Sequence, residues 1–400
     1  MGQRRPFGLR PRWALPGAAV IVVGAVLAGT VLASAAAPAL PRQTPAQLLA
    51  AMHDAKPPAS MIATISESAN LGFPSLPDIG GMGSSPLSAA SLISGTHTVQ
   101  IWYGGPRQFR IALPVSFGET DLRVNKTQAW LWESQGQKAT RFILPPAGVQ
   151  PKSIKPGEAS GPPMTPIQAA NKFLELVGPT TRVTVPGTTS VAGRDAYQLA
   201  IAPRTNRSLI GRIMIAVDSK THLPLSLQVF ARGGSSPAFQ IGFTSLSFAK
   251  PAASNFTFTP PPGAKVKTVH GPPGPLPGGL HGHRMSEPPG GAKQSHLKHG
   301  MMPKIRPDLG PQTFGSGWLS VVALPIGSMA FGGPGASGPA GQGLGMLSAL
   351  LKAAKAVHGT WGSGRLLHTS LLSVLITSKG VVLAGAVTPS VLFADAAKVK

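Results

Sequence analysis

The sequence predicts a mainly β protein with helices, of the α+β class: a curved, incompletely closed antiparallel barrel of about eleven strands, followed by a small α+β module. Three observations carry this expectation. Ile213, Ile215 and Val217 alternate with Arg212, Met214, Ala216 and Asp218, and Leu225, Leu227 and Val229 resume the alternation after a break of turn-forming residues. Phe239 to Phe248 adds a third segment of the same kind, and residues 96–144 hold a second series separated by breaks of hairpin length. Two amphipathic segments begin at Thr44-Pro45 and Thr165-Pro166, pairs that suit an N-cap followed by the first helical position. An antiparallel sheet of this size curls, and the apolar stripes of the helices need a surface to cover.

The elements follow in order. Arg4, Arg5, Arg10 and Arg12 precede an apolar stretch that ends in Ala33-Ser34-Ala35-Ala36-Ala37, the pattern of an export signal. Residues 18–37 are also long enough to cross a bilayer uncleaved, so residues 1–37 are a signal peptide or an N-terminal membrane anchor. In both cases the rest of the chain is extracytoplasmic. Leu48, Leu49 and Met52 give the first helix its stripe, and Pro57-Pro58 stops it; Met61, Ala63 and Ile65 mark the first strand. Residues 70–94 form a Gly- and Pro-rich insertion with many apolar side chains, either a flap over a cavity or a loop packed on the surface. Strands are expected at 99–103, 108–113, 120–124, 129–132 and 140–144. After a linker at 145–163, Ile167, Ala170, Phe173, Leu174 and Val177 share one face of a second helix ended by Gly178-Pro179. Three further strands, at 181–185, 195–202 and 213–217, lead into the hairpin described above.

Residues 267–312 read as a Pro/Gly/His-rich linker and 313–400 as the separate α+β module. Within the module a strand is expected at 318–324 and a helix at 346–357. A hairpin joins 371–377 to 381–387 across Ser378-Lys379-Gly380.

The run Ile213-Met214-Ile215-Ala216-Val217-Asp218, then Leu223-Pro224-Leu225, Phe230-Ala231-Arg232 and Phe256-Thr257-Phe258-Thr259-Pro260-Pro261-Pro262-Gly263-Ala264 resembles the later strands of actinobacterial envelope proteins of the LolA-like superfamily. That superfamily includes outer-membrane lipoprotein carriers, mycobacterial-type lipid-binding lipoproteins and RseB-type regulators of envelope-stress sigma factors. The resemblance covers residues 45–266, so 38–266 is expected to be a LolA-like half-barrel whose concave face is covered by helices. It carries no catalytic residue. The chain departs from the lipid-anchored members in having no Cys, which also rules out disulfide staples.

The formal net charge is +23, and removing the leader arginines leaves the rest strongly basic. On an exported chain such charge suits an anionic membrane surface or wall polymer, and export removes it from nucleic acid. No nucleophile-elbow, phosphate-loop or zinc-protease motif is present, so no enzyme activity and no cofactor are expected. Glu119 and Asp121 fall on one face of a strand with Arg123 at the same parity, which reads as a solvated charge cluster. His281-Gly282-His283 and His296-Leu297-Lys298-His299 lack Cys and acidic companions and adjoin Arg284, Lys293 and Lys298, so no metal site is assigned.

The expected function is an extracytoplasmic carrier that holds a lipid or acylated protein in an apolar concavity, with basic residues at the rim orienting an anionic head group. The alternative is an RseB-like sensor that binds a membrane-protein partner, an anti-sigma factor, in envelope stress. By alternation and apolarity the candidate lining residues are Val99, Ile101, Tyr103, Trp130, Trp132, Ile213, Ile215, Val217, Leu225, Leu227 and Val229. Each of them either fills a core or lines the cavity.

Overall fold

The computed structural model describes residues 37–72, 94–115, 117–146, 171, 174–175, 177–271, 312–325 and 354–399. The chain divides into two units, Met1–Pro38 and Ala39–Lys400, and every element below belongs to the second. Nearly all of the candidate export segment, most of the 70–94 insertion, most of the 145–163 linker, the second helix apart from a few residues, and the His-rich tracts lie outside the described residues.

Twelve strands form one open sheet: β1 Met61–Asn70, β2 Ser94–Gly105, β3 Gln108–Val115, β4 Gly118–Asn125, β5 Gln128–Glu133, β6 Lys138–Ile143, β7 Thr181–Val191, β8 Arg194–Pro203, β9 Ile210–Asp218, β10 Pro224–Ala231, β11 Pro237–Ser247 and β12 Lys265–His270. Their order is β12-β6-β5-β4-β3-β2-β1-β11-β10-β9-β8-β7, so β1 joins two antiparallel meanders and the edges β12 and β7 do not pair. The predicted incompletely closed antiparallel architecture is what forms. One strand was not expected. Lys265–His270 runs parallel to β6 in a stretch whose Pro- and Gly-rich flanks read as linker, and Val269 packs against the cluster of Leu122, Val124, Ala129 and Phe142.

Tight connections follow from residues that tolerate left-handed backbone. Ala192 and Gly193 both have positive φ, 50° and 73°, which gives the β7–β8 hairpin the turn twist that matches its strands. His222, at φ 56°, closes the β9–β10 hairpin. There Asp218 accepts hydrogen bonds from Thr221 N and Oγ1, both at 2.6 Å, and Arg194 grips it at 2.7 and 2.9 Å. Burial alone would push the Asp218 pKa up, but the bonds from Arg194 and Thr221 outweigh it and hold it down at about 2.

The helix Pro45–Asp54 starts at the expected cap. Thr44 Oγ1 accepts from Gln47 N at 3.2 Å, while Gln47 Oε1 accepts from Thr44 N at 2.9 Å. Its Leu48 is fully buried against Tyr197, Leu199 and Val217, which fixes the helix on the β7–β9 end of the sheet.

The last strands form a second, six-stranded sheet: β13 Gln312–Phe314, β14 Val321–Pro325, β15 Lys355–Gly359, β16 Gly362–His368, β17 Ser373–Thr377 and β18 Val381–Gly385. The hairpin across Ser378-Lys379-Gly380 forms as expected. Two expectations are corrected. Gly317–Leu319 is a 3-10 turn, so the strand read over 318–324 begins only at Val321. Lys355–Gly359 is a strand paired with β16, so the helix read over 346–357 does not reach Val357; β-branched Val357 and the glycine that follows suit a hairpin better than a helix end. A helix not foreseen, Pro389–Ala396, buries Val391, Leu392 and Ala396 against Val321, Leu375 and Leu383.

The two sheets meet at one end of the large one, where β7 and β9 begin and β1 ends. Leu209 N donates to Ala386 O at 2.9 Å, Thr388 N to Arg207 O at 2.9 Å, and Ser370 N to Leu71 O at 2.9 Å. Arg232 stiffens this corner by donating to the carbonyls of Thr205, Ser208 and Ile210.

Candidate functional site: the apolar face of the large sheet

Register assigns every strand residue to a face, because directly paired residues point the same way and neighbours in sequence point opposite ways. One row runs Ala63–Ile101–Ile111–Leu122–Leu131, and a second runs Met61–Tyr103–Phe109–Val124–Ala129–Phe142. On the other half of the sheet the same face carries Ile241–Leu227–Ile215–Leu199 and Phe239–Val229–Ile213–Ile201–Val183. This face is almost wholly apolar and much of it is only half-buried.

The opposite face has a different chemistry. Its central row is Ile62–Trp102–Arg110–Arg123–Trp130–Arg141, with Ala112–Asp121–Trp132–Ala139 alongside. Arg110 stacks over Trp102 at 4.5 Å, and Arg141 lies over Trp130 at 5.8 Å. Phe258 packs on Trp130 and Trp132 with ring centroids 5.4 and 5.7 Å away, while Arg123 donates to Thr257 O at 2.6 Å. The segment 256–258 therefore covers part of both tryptophans, which stay half-buried.

The candidate lining residues consequently separate into three groups. Val99, Ile101, Tyr103, Ile213, Ile215, Leu227 and Val229 lie together on the apolar face and are half-buried. Val217 and Leu225 are core, at 0% and 1% exposure. Trp130 and Trp132 lie on the opposite face from the first group. The cause is a β-bulge between Tyr103 and Gly105. A regular hairpin with Gly105 opposite Gln108 would set Tyr103 against Arg110 and on the face of Trp130; the extra residue, Gly104, sets it against Phe109 and turns over everything from β3 to β6. A Cβ at Gly104 would come within 3.3 Å of the Phe256 ring, so glycine suits the bulge.

The reading of Glu119 and Asp121 as a solvated cluster is also corrected. Asp121 is 1% exposed and accepts from Arg110 Nε at 3.1 Å and from Arg123 Nε and Nη2 at 2.8 and 2.7 Å. Glu119, which pairs with Arg110 at 3.3 Å, has its pKa raised by burial and by the neighbouring Asp121 charge. The pairing of β3 with β4 brings the arginines to the acid from both sides, which parity on one strand does not show.

Where the apolar face meets the second sheet there is a cavity of about 260 Å³ lined by Val177, Thr180, Thr181, Val183, Ile201, Gly317 and Trp318. The Trp318 indole donates to Thr181 Oγ1 at 2.7 Å, leaving its ring as one wall. Ile201 is the cross-strand partner of Ile213, so the cavity continues the candidate surface. Val183 and Ile201 carried the alternation signal in the sequence without being singled out; Trp318 carried none, since its partner is 137 positions away. Toward the middle of the sheet, β1 places Glu67 on the same face, 6% exposed, opposite His97 on β2 and Ile241 on β11. Among the described residues no group of three His, Asp or Glu side chains is arranged to hold a metal, and no helix is long and apolar enough to cross a membrane.

The large sheet thus presents a largely apolar, half-covered face with an adjoining cavity. Among solved structures the chain is similar to MucB, at 15% identity and a TM-score of 0.34 over 87% of this chain and 94% of that one. It is similar also to the Pseudomonas aeruginosa MucA/MucB complex, at 16% identity and a TM-score of 0.36 over the same shares. A LolA superfamily protein from Nitrosomonas europaea is matched at 10% identity and a TM-score of 0.18, over 54% of this chain and 99% of that one. No family model matches the chain, and no curated protein matches it by sequence.

Proposed function

We propose that the chain is an extracytoplasmic binding or carrier protein that holds the acyl part of a lipid or acylated protein on the apolar face of its large sheet. The observation that supports this most is the continuous apolar surface of Val99, Ile101, Tyr103, Leu227, Val229 and Ile213, which runs on to the cavity walled by Val183, Ile201 and Trp318. Burial of a chain there is worth about 0.8 kcal/mol per methylene, so affinity rises with the length of chain covered. The extracytoplasmic location rests on the arginine-led apolar stretch at residues 1–37, and the basic charge draws the protein toward an anionic membrane surface or wall polymer.

The test is native mass spectrometry, with lipid extraction, of the protein purified without detergent from an exporting host. A defined lipid mass that stays bound is the expected result and gives the cargo class. A chain that is empty and takes up no added lipid overturns the carrier reading in favour of the sensor, in which the same surface receives a membrane-protein partner; co-purification of a single-pass regulator then identifies it.

A further inference from the structure

Glu67 stands out on the apolar face. It is 6% exposed, and neither carboxylate oxygen has a hydrogen-bond partner among the described residues. Its same-face neighbours on the strand are Ile65 and Ala69; across the pairs lie His97 and Ile241. Beside it, opposite Ala69, Gly95 has φ 92°, and among the described residues a Cβ there would meet only His97 Nε2, at 4.0 Å. Gly95 and Ala69 thus put no large side chain next to the carboxylate. An orphaned carboxylate is costly to bury, since it forfeits the hydrogen bonds water supplied, and Gln or Leu would fit a purely structural role at lower cost. Burial accordingly pushes its pKa up, with the His97 charge opposing.

We propose that Glu67 is the polar anchor of the bound amphiphile and selects a head group carrying an ammonium with free N–H donors. This rests on the apolar-ligand reading above and refines it, replacing the anionic head group that the overall charge suggests. An ionised carboxylate only accepts, with about four lone-pair directions to fill, and an ammonium supplies three donors and the compensating charge. An anionic head would instead bring a second negative charge against a buried carboxylate. The acyl chain then lies along Ile65, Val99 and Ile241, the apolar residues around Glu67 on the same face.

The experiment is calorimetric titration of the full chain, freed of bound lipid, with dodecylamine, dodecyltrimethylammonium and dodecanoate below their micelle concentrations. A charge-assisted hydrogen bond predicts that the wild type binds dodecylamine about tenfold or more tightly than either of the others, the trimethylammonium separating donors from charge alone. Glu67→Leu should lose the amine preference while still binding dodecanoate, and Glu67→Gln should narrow the preference to within about threefold. Dodecanoate binding as tightly as dodecylamine, or an unchanged ranking in Glu67→Leu, overturns the inference and leaves the apolar-ligand reading standing. Binding of none of the three overturns both. If Glu67→Leu does not fold, the wild-type ranking and Glu67→Gln decide.

Discussion

Replacing Asp218 by Asn tests whether the β9–β10 turn is held by charge. Asp218 is 1% exposed and receives two bonds from Arg194 and two from Thr221. Asn keeps the shape but removes the charge and turns one acceptor into a donor facing Arg194 and Thr221. Breaking a buried pair in this way costs about 3 kcal/mol. Acid does the same to the wild type. A carboxyl held near pH 2 when folded, against 3.8 as its ordinary value, contributes roughly 2 kcal/mol that is fully present above the unfolded pKa. That contribution is lost as pH falls from about 4 toward 2. Urea unfolding followed by circular dichroism, at pH 7 and at steps down to pH 2, gives both numbers. The gap between wild type and Asp218→Asn should be about 3 kcal/mol at neutral pH and shrink by roughly 2 kcal/mol in acid. A gap below about 0.5 kcal/mol at pH 7, or one constant with pH, would refute the argument.

Asp121→Asn should cost about 3 kcal/mol by the same measurement, because Arg110 and Arg123 lose their shared, fully buried acceptor. Thr44→Ala should cost about 1 kcal/mol, the worth of a helix cap, without altering ligand retention. Glu67→Leu should raise stability of the ligand-free protein by about 1–2 kcal/mol, seen as a higher urea midpoint, since it relieves an unpaired buried carboxylate. Trp318→Ala removes one wall of the cavity and should weaken retention of a long-chain lipid several-fold, measured by native mass spectrometry, while Trp361→Phe, deep in the second sheet's own core, should not.

Period-two alternation made most strands legible, and Thr44 with Gln47 and Pro45 marked the helix start through local chemistry alone. What alternation does not carry is the relation between strands. Met61–Asn70 became the centre of the sheet by pairing with β11, with Ile62 opposite Ser247, an encounter between distant segments that no local pattern announces. Lys265–His270 was hidden because only Val266 and Val269 are apolar and its partner is remote and parallel. The face of Trp130 and Trp132 turned on a single bulged glycine, Gly104, since one residue of slippage exchanges the two sides of every following strand. Glu67 went unnoticed for a related reason: between Ser66 and Ser68 it reads as a solvent residue, and only the register shows it among Ile65, Val99 and Ile241.

The most direct test of the central claim is photocrosslinking of the intact protein with an acyl chain carrying a diazirine at its far end, followed by peptide mapping. The account predicts label on the apolar face and its cavity, in peptides containing Ile101, Ile213, Leu227 or Trp318, and its displacement by unlabelled amphiphile. Label confined to the Trp130–Trp132 face, or spread over the surface and not displaced, would contradict it.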